Sequence, residues 1–480
     1  IQERTAYNSF NYSPVFDEEH RIVGFPEMDD IDGSEINYSA LGGTGKSVSK
    51  MSSFFANASY SYLDKYILTG ALRYDGSDII GNDNQFTPLW NVGLRWNLHR
   101  EEFMKRWMWV DQFAVRGGFG YTGSIDKNAL PFVVMTLGQS VIYDGQTVPT
   151  SFSYPNPNVK WQTKQDMNVG LDLSLFDYRL ELGVNYYNNI TRDVLDRKAL
   201  PYSSGRSEVT ENVADIYNSG WEIDLGVTLL KNKSFQWYAK ANIAINDNKV
   251  KNTYYKDTKD LPKATLSNAH QFVENQPVNG WYGYKFAGIN PINGAVMTYT
   301  GNGEATLDMS VSGATWPIPS VFYLGNLTPP VVGGFSTSAN WKQLIFSANF
   351  EFKTGHKIKS FNTFRSLDAR NRHTSEANRW REPGDITNVP AMSEAFTTYS
   401  SYMYDILLEK GNYLRCSYMT LGYNLKPEWL HKIGFSTARL SFTAKDLFTV
   451  SSYSGIDPAL MGSFGYPNSR KYTITLNVGF

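Results

Sequence analysis

The chain has 480 residues, of which 45 are Lys or Arg and 46 are Asp or Glu. This balance leaves no basic excess to attract nucleic acid, so we expect no nucleic-acid partner. The single cysteine, Cys416, excludes an internal disulfide and a cysteine-based metal site and is interpreted as an apolar residue on a strand. Aromatic residues make up 15% of the sequence, more than one ordinary core requires.

The sequence contains no run of 18 or more apolar residues, so it predicts no transmembrane helix. The residues that follow Ile1 do not have the pattern of a signal peptide. The chain is therefore either soluble or crosses a membrane as β-strands, whose hydropathy signal is weak.

Residues 40–47, ALGGTGKS, differ from the G-x-x-x-x-G-K-[ST] phosphate loop because Ala40 stands where the first glycine belongs. That loop functions only between a buried strand and a helix whose N-terminal amides meet the phosphates. The preceding residues are polar, and residues 48–62 alternate and are rich in Ser and aromatics, which favours a strand. We interpret the stretch as a Gly/Ser-rich loop or the rim of a strand, not as an ATP site.

Two acidic stretches, residues 27–33 and 75–78, offer oxygen atoms to calcium, but neither completes a D-x-[DN]-x-[DN]-G-x5-E loop. Solvated turns are the simpler interpretation of both. The six histidines are scattered, with no two at metal-ligand spacing. No nucleophile elbow or catalytic Ser/His/Asp order is present. We therefore expect no cofactor, no metal and no enzymatic activity.

Strict alternation of apolar and polar residues recurs along the chain. Residues 472–480, YTITLNVGF, place their apolar side chains on one face of a strand and small or polar ones on the other. The same pattern appears at residues 90–97, 167–175, 221–229, 346–353 and 438–445. We count roughly fifteen such segments of about ten residues, the length at which a tilted strand crosses a bilayer.

Aromatic residues and connection lengths favour a membrane barrel over a soluble sandwich. Trp90 and Trp96 bracket one apolar stripe, as the rings of the two girdles of a membrane barrel do. The expected tight turns lie at residues 63–65, 176–177, 231–233 and 342–343, and the expected long connections at 75–88, 123–164, 192–219 and 355–410. Short turns on one side and long loops on the other are typical of outer-membrane barrels.

The predicted fold is all-β, a transmembrane antiparallel β-barrel over residues 1–480 with short periplasmic turns and long extracellular loops. Arg95, Asp172 and Lys353 on the polar faces indicate a wet or plugged interior, as in transporters of about 22 strands. Fifteen strands are fewer than that. Either the pattern misses some strands or the chain supplies only part of a barrel.

A series of short motifs runs along nearly the whole chain. In chain order they are YILTGALRYDGS at 66–77, VRGGFGYTG at 115–123, NPNVKW at 156–161, NVGLD at 168–172, NYYNNIT at 185–191, LP at 200–201, NSGWE at 218–222, WYGY at 281–284, GGF at 333–335, NRW at 378–380, PGD at 383–385, YLR at 413–415, DLF at 446–448 and GYP at 465–467, before the terminal Phe480. Each motif is short, but in this order they resemble the SusC/RagA-like branch of the TonB-dependent outer-membrane transporters of Bacteroidetes.

The resemblance implies an importer in the bacterial cell outer membrane that takes up an oligosaccharide or an oligopeptide as a nutrient. In that family a SusD-like surface lipoprotein caps the barrel from outside, and TonB acts from inside through a plug domain. The implied partners are therefore a SusD-like lipoprotein, TonB and the lipid bilayer.

Family members carry a signal, a TonB box and a plug before the barrel, and residues 1–51 match none of these. The first well-matched stretch, near residue 52, normally falls in the middle of a barrel. We therefore expect the chain to be the C-terminal part of a barrel of about 22 strands. The plug and the remaining strands are then expected on a separate or cleaved chain.

Substrate contacts are expected from the long loops, because ring faces stack on sugars and peptides while polar groups orient them. The candidate substrate-binding residues are Tyr143, Tyr154, Trp316, Trp380, Arg381 and Tyr402. Each of them also fits packing within a loop or a contact with the lid, since Trp, Tyr and Arg anchor interfaces as well.

Two other functions are open at this point. The first is a transporter-derived outer-membrane barrel that acts as a scaffold or adhesin without active transport, supported only by the missing plug. The second is a soluble all-β enzyme or lectin whose aromatic residues line a carbohydrate groove. The second is disfavoured because about fifteen stripes flanked by rings would overfill a sandwich core.

Overall fold

A computed structural model describes most of the chain. The described residues are 15–16, 22–24, 50–78, 80, 85–125, 134–143, 146–153, 160–200, 203, 208–258, 272–307, 320–359, 377–391, 404–430, 434–461 and 466–480. The chain divides into two compact units. One consists of residues 1–56, 72–89 and 125–161, and the other of residues 57–71, 90–124 and 162–480.

Strands dominate the described residues. They are β1 Val15–Phe16, β2 Ile22–Gly24, β3 Met51–Tyr62, β4 Tyr66–Ser77, β5 Phe86–Asn97, β6 Val110–Ser124, β7 Val134–Tyr143, β8 Gln146–Ser153, β9 Gln162–Leu175, β10 Leu180–Ala199, β11 Glu208–Lys231, β12 Phe235–Lys251, β13 Gly280–Gly283, β14 Phe286–Ile289, β15 Val296–Tyr299, β16 Ala305–Leu307, β17 Phe322–Asn326, β18 Val331–Trp341, β19 Leu344–Thr354, β20 Lys357–Lys359, β21 Leu408–Lys410, β22 Tyr413–Asn424, β23 Thr437–Ser451 and β24 Lys471–Gly479. The one α-helix described, α1, is a single turn at Pro427–Leu430. No helix in this part of the chain is long and apolar enough to span a membrane.

Thirteen of the described strands form one continuous sheet. Its order is β24-β23-β22-β19-β18-β12-β11-β10-β9-β6-β5-β4-β3, so each strand pairs with its nearest long neighbour along the chain. The pairings recorded from β5 to β24 are antiparallel. The antiparallel all-β class predicted from the alternation is therefore confirmed, with thirteen long strands described where the pattern indicated roughly fifteen.

Smaller sheets account for the remaining described strands. They are the pair β1 and β2, the pair β7 and β8, the pair β13 and β17, the triplet β14-β15-β16, and the pair β20 and β21. All but the first lie within connections of the main sheet. These short strands also alternate, which explains why a count of alternating segments exceeds the number of long strands.

The meandering order places the connections alternately at the two edges of the main sheet. One edge, here called the turn edge, carries residues 63–65, 98–109, 176–179, 232–234, 342–343 and 425–436. The other, here called the loop edge, carries residues 78–85, 125–161, 200–207, 252–330, 355–412 and 452–470. Leu63 and Asp64 have φ of 52° and 53°, as the twist of a two-residue hairpin turn requires.

The connection predicted at residues 192–219 is largely strand, and that prediction is wrong. β10 continues to Ala199, whose partner in β11 is Glu208. Between Thr191 and Val194 the register shifts, and Asp193 has a φ of 57°. This β-bulge interrupts the alternation, so the sequence pattern breaks although the strand continues.

One face of the main sheet is apolar and uncovered by other described residues. Val92, Leu94, Val169, Leu225 and Ile474 all point from this face and remain exposed. An uncovered apolar surface of this extent is unfavourable in water and marks a surface that meets another apolar phase. The opposite face carries the polar members of the same strands and is here called the polar face.

A compact apolar core forms within the loop edge. Its buried members are Tyr255, Val273, Tyr282, Tyr284, Ile289, Val296, Val321, Tyr404 and Leu407, here called the loop core. They come from two connections, residues 252–330 and 355–412. Burial of this many large side chains fixes both connections on each other, since each contributes roughly 1.5–3 kcal/mol of transfer free energy.

Candidate functional site on the polar face and in the loop edge

Three charged side chains meet on the polar face of neighbouring strands. Arg95 of β5 donates from Nη1 to Asp172 Oδ2 of β9 over 2.9 Å. Arg116 of β6, the strand between them, places Nε 3.5 Å from Asp172 Oδ1. One carboxylate therefore balances two guanidinium groups, and the group carries a net positive charge on this face.

A missing side chain on β9 makes room for this arrangement. A Cβ added at Gly170 would lie 2.8 Å from Cζ of Arg116, closer than real carbon contacts. Gly170 pairs with Arg116 in the sheet register. The glycine of the NVGLD motif thus allows the guanidinium to lie flat across the sheet toward Asp172.

Hydrogen bonds continue along the same face on β10, β11 and β12. Asn185 Nδ2 donates to Glu222 Oε2 over 3.2 Å, and the hydroxyl of Tyr187 donates to Asn246 Oδ1 over 2.7 Å. Glu222 remains exposed. This part of the polar face therefore offers a carboxylate and amide groups to a polar ligand.

A buried guanidinium lies where the polar face approaches the loop edge. Arg415 of β22 is 4% exposed and donates from Nη2 to Asp457 Oδ1 over 2.5 Å. Its Nε donates to the hydroxyl of Thr449 over 3.1 Å, and Glu351 Oε1 lies 4.0 Å from Nη1. The guanidinium also lies over the ring of Tyr413, 5.4 Å from its centroid, within the range of a cation–π contact.

Asp457 links this guanidinium to the 452–470 connection. Its Oδ1 also accepts a hydrogen bond from the Ala459 amide over 2.9 Å and so caps the turn Pro458–Leu460. The aspartate is 8% exposed. A buried carboxylate that satisfies a guanidinium and a turn amide holds the connection on the sheet, so this pair has a structural role.

The imidazole of His356 lies buried between β19 and β20. Burial, together with the charge of Lys353, lowers the pKa of His356, which favours its neutral form. The His356 carbonyl accepts a hydrogen bond from the Gly411 amide over 3.0 Å. The histidine therefore joins the two ends of the 355–412 connection as a neutral packing group.

Trp380 packs at the border of the loop core. Its indole Nε1 donates to the Pro291 carbonyl over 3.1 Å, and its amide donates to the Val389 carbonyl over 2.9 Å. It is half-buried and lies against Gly294, which has a φ of 71°. The ring is thus engaged in loop packing, which leaves only part of it available to a substrate.

Arg381 is exposed and engages its own segment. Its amide donates to Asp385 Oδ2 over 2.8 Å, and Nη2 donates to the Ala377 carbonyl over 3.0 Å. These contacts form a local turn around the PGD motif. Apart from being chain neighbours, Trp380 and Arg381 share no recorded contact.

The other four candidate substrate-binding residues cannot be located at this level. Tyr143 ends β7, but its side chain lies outside the described part. Tyr154, Trp316 and Tyr402 lie outside the described residues altogether. All six candidates remain predictions.

Within the described residues, no group of three or more His, Cys, Asp or Glu side chains is placed to hold a metal ion. The acidic stretch at residues 27–33 lies outside them. In the stretch at 75–78, Asp75 accepts from Arg73 over 2.6 Å and Asp78 accepts from the Lys50 amide over 3.0 Å. Both carboxylates are engaged with protein donors.

Sequence reasoning named Arg95 and Asp172 as polar-face charges but did not propose them as a site. Arg116, Glu351 and Asp457 were not singled out. The signal that identifies such residues is a lone charge at a polar-face position of an alternating strand, because a charge there needs a partner on the neighbouring strand. Asp457 lies in a connection and gives no such signal.

Known protein families and structures match this architecture. The family model described as "TonB dependent receptor-like, beta-barrel" matches residues 2–351. TonB-dependent receptor P3 of Formosa agariphila is 29% identical over 465 residues, covering 89% of this chain and 45% of that receptor. TonB-dependent receptor SusC of Bacteroides thetaiotaomicron is 23% identical over 453 residues, covering 89% and 43%.

Solved structures agree with these relatives in fold. The RagAB peptide transporter superposes with a TM-score of 0.73 at 24% identity, covering 95% of this chain and 51% of that one. The open-open state of the RagAB peptide importer gives a TM-score of 0.74 at 25% identity, covering 92% and 48%. The chain thus spans about half the length of the relatives that it matches.

The resemblance to the SusC/RagA-like branch inferred from short motifs is confirmed by these matches. The exposed apolar face of the sheet is the surface that such a barrel presents to lipid. The relatives found are receptors and transporters and indicate no enzymatic family. This chain is an outer-membrane protein that belongs to the TonB-dependent receptor-like, beta-barrel family.

Proposed function

We propose that this chain forms part of a SusC-like importer that takes up an oligosaccharide or an oligopeptide across the outer membrane. The observation that carries the proposal is the two-faced sheet. Its apolar face is exposed, whereas its polar face holds Arg95, Arg116, Asp172 and Glu222 on neighbouring strands. A charged, hydrogen-bonding wall behind a lipid-facing surface suits an aqueous path for a polar solute.

In this proposal the turn edge faces the periplasm and the loop edge faces the cell exterior. Outer-membrane barrels have short periplasmic turns and longer extracellular loops. The two longest connections, residues 252–330 and 355–412, both belong to the loop edge and share the loop core. A packed loop assembly over one end of the path gives the substrate a structured entrance.

The substrate is proposed to be an oligomer with several polar groups. The polar face offers guanidinium, carboxylate and amide groups that can orient such a ligand, and loop aromatics can stack on its apolar surfaces. The titles of the RagAB structures name peptide transport. That supports peptides as one substrate class for this chain, beside the glycans implied by its SusC-like motifs.

A SusD-like lipoprotein is the proposed partner at the loop edge. Exposed apolar side chains are present on several loop-edge connections: Tyr254, Ile292, Ile386, Ile456 and Tyr466. Side chains of this type anchor protein interfaces. In the complete receptor, TonB is proposed to act through a plug portion, and further strands are proposed to pair with the outer strands of the sheet, since open edges are not stable in lipid.

Uptake by living cells tests this function. Cells that express the wild-type chain would be compared with cells lacking it, and each also in a background without TonB. Fluorescent oligopeptides and oligosaccharides of matched length would be supplied from outside. We expect accumulation of one class, dependent on both the chain and TonB. Loss of surface partners without any change in accumulation would contradict import and support the scaffold function.

Substitutions on the polar face sharpen the test. The double variant Arg95→Gln with Arg116→Gln removes the two cations around Asp172 while retaining side-chain length. We expect slower uptake with the chain still present at the wild-type level in the membrane. Lys233→Gln in a turn of the opposite character is the matched control, since it removes a cation away from the polar face. Equal uptake by all three proteins would argue against a path along this face.

A further inference from the structure

We propose that the turn edge carries a binding site for the phosphate headgroup of an anionic phospholipid. The site is formed by residues 98–109, which connect β5 to β6, and residues 176–179, which connect β9 to β10. The proposal uses the membrane orientation given in the proposed function but does not depend on import. Lipid retention, not uptake, therefore tests it.

The two connections expose an unusual concentration of large apolar side chains. They are Phe103, Trp107, Met108, Trp109, Phe176 and Tyr178, here called the turn-edge patch, with exposed fractions from 48% at Trp109 to 91% at Met108. Scattered single apolar residues on a surface need no explanation, but a contiguous group of this size marks an interaction site.

The turn-edge patch is held in place by specific contacts. The rings of Trp107 and Trp109 stack with centroids 6.1 Å apart, and those of Trp109 and Phe176 stack at 5.7 Å. The Phe176 amide donates to the Trp109 carbonyl over 2.9 Å, and the Tyr178 amide donates to Asp111 Oδ2 over 2.9 Å. The exposure of these rings is thus built into the fold.

The turn-edge patch lies at the end of the lipid-facing surface. Glu101, in the same connection as Trp107, accepts hydrogen bonds from the Tyr66 hydroxyl over 2.7 Å and from Trp96 Nε1 over 3.1 Å. Tyr66 and Trp96 belong to the apolar face, and their rings stack at 6.1 Å. A carboxylate at the rim, with rings on one side only, marks where that surface meets water.

Cations accompany these aromatic side chains. Among the described residues, Arg106 and Arg179 form no ion pair, and both are exposed. The other two cations are matched: Arg100 pairs with Asp64 at 2.8 Å and Lys105 with Glu102 at 2.7 Å. These two unpaired guanidinium groups therefore remain for an external anion.

Of the carboxylates in this region, Glu101 contacts Lys65 at 3.0 Å, and only Asp177 is exposed without an ion pair among the described residues. Two free guanidinium groups against one free carboxylate leave a positive surplus. Aromatic rings that insert at the headgroup level beside arginines suit an anionic lipid better than a soluble anion, because both contacts are made at once.

Native mass spectrometry of the protein purified from outer membranes in detergent, with everything that co-purifies, tests the proposal. The probes are dioleoyl phosphatidylglycerol and dioleoyl phosphatidylcholine, titrated separately. We expect the wild-type protein to retain phosphatidylglycerol more strongly. The double variant Arg106→Gln with Arg179→Gln should weaken that retention by about fivefold or more. Asp177→Asn should strengthen it.

Two controls separate the site from general effects. Lys233→Gln removes a turn-edge cation outside the turn-edge patch and should leave retention unchanged. Trp107→Ala with Trp109→Ala should weaken the retention of both lipids, because it removes the insertion and not the charge. Wild-type selectivity in the double arginine variant, or an equal loss in Lys233→Gln, would overturn the proposal.

Discussion

Arg415 donates a hydrogen bond of 2.5 Å to Asp457, and both side chains are buried. The pair joins a strand of the main sheet to the connection between β23 and β24. Taking two opposite charges out of water is costly, and their attraction offsets that cost only while both remain. The pair is therefore a weak source of net stability but a strong constraint against loss of either partner.

The variant Asp457→Ala should lower the free energy of unfolding by about 3–5 kcal/mol. It leaves the Arg415 guanidinium buried without its anion and the Ala459 amide without its cap. Chemical denaturation measures the loss. A second readout is alkylation of Cys416, the only cysteine in the chain, which is buried next to Arg415 and should react faster in the variant.

The matched control is Asp64→Asn at the exposed pair of Asp64 with Arg100, whose side chains are 69% and 49% exposed. Solvent screens that pair, so its loss should cost less than about 1 kcal/mol. Asn also accepts the positive φ of this position. Equal stability of Asp457→Ala and Asp64→Asn would show that burial does not govern the first pair.

Gly120 is predicted to be indispensable to the packing of β5 against β6. A Cβ at this position would lie 2.5 Å from the Trp90 carbonyl oxygen and 2.7 Å from Asn91 Cα, both backbone atoms that cannot move without bending a strand. The variant Gly120→Ala should destabilise the protein by about 1–3 kcal/mol. Thermal unfolding in detergent is the measurement.

Gly70 provides the comparison, since a Cβ there would find its nearest neighbour, the Asn91 carbonyl oxygen, at 4.0 Å. The variant Gly70→Ala should be neutral or slightly stabilising, because it restricts the unfolded chain without a clash. A larger loss of stability for Gly70→Ala than for Gly120→Ala would refute the steric explanation.

The sheet could be predicted from the sequence because its physical cause is local. A strand between an apolar and a polar medium must alternate, and residues 167–175 and 472–480 do so without interruption. The extra length of β10 and β11 was missed because the bulge at Asp193 breaks the alternation. Pattern reasoning detects a face and loses it where one residue is inserted.

The candidate site could not be predicted to the same extent, because it depends on distant partners. Asp457 lies 42 positions from Arg415 along the chain, and nothing in its own neighbourhood announces the pair. Trp380 was recognisable as a loop aromatic, but whether its ring faces a substrate or Pro291 depends on how two connections pack. Loop packing has no sequence period to read.

Glu101 should make the stability of the turn edge depend on pH. Hydrogen bonds from Tyr66, Lys65 and Trp96 lower the pKa of Glu101 from 4.5 to about 2. Folding therefore favours its ionised form, and the stabilisation is present above pH 4.5 and is lost as the pH falls toward 2. The same contact raises the pKa of Lys65 above 10.5, so the stabilisation is also lost in strong alkali.

The measurement is the thermal midpoint of the wild-type protein and of Glu101→Gln between pH 2 and pH 8. We expect a constant difference from pH 5 to pH 8 that narrows below pH 4.5. Glu102→Gln serves as the control, because Glu102 has a single hydrogen-bond partner, Lys105, and should show a smaller difference. A difference that is the same at pH 3 and pH 7 would rule out ionisation of Glu101 as the cause.

Trp380 is predicted to act mainly as a packing residue of the loop edge. The variant Trp380→Ala should lower the free energy of unfolding by about 2–3 kcal/mol, less than for a fully buried tryptophan because the ring is half-buried. Trp380→Phe keeps most of the packing but leaves the Pro291 carbonyl without its donor, at a cost of about 1 kcal/mol. Limited proteolysis of residues 377–391 together with thermal unfolding measures both.

The neighbouring Arg381→Ala, which removes an exposed side chain, should change the stability by less than about 0.5 kcal/mol. If Trp380 instead serves as a substrate contact alone, Trp380→Ala would impair uptake while proteolysis and unfolding remain as in the wild type. The two roles thus predict opposite combinations of stability and uptake. Because the indole contacts the Pro291 carbonyl and lies against Gly294, the structure favours loss of both stability and uptake together.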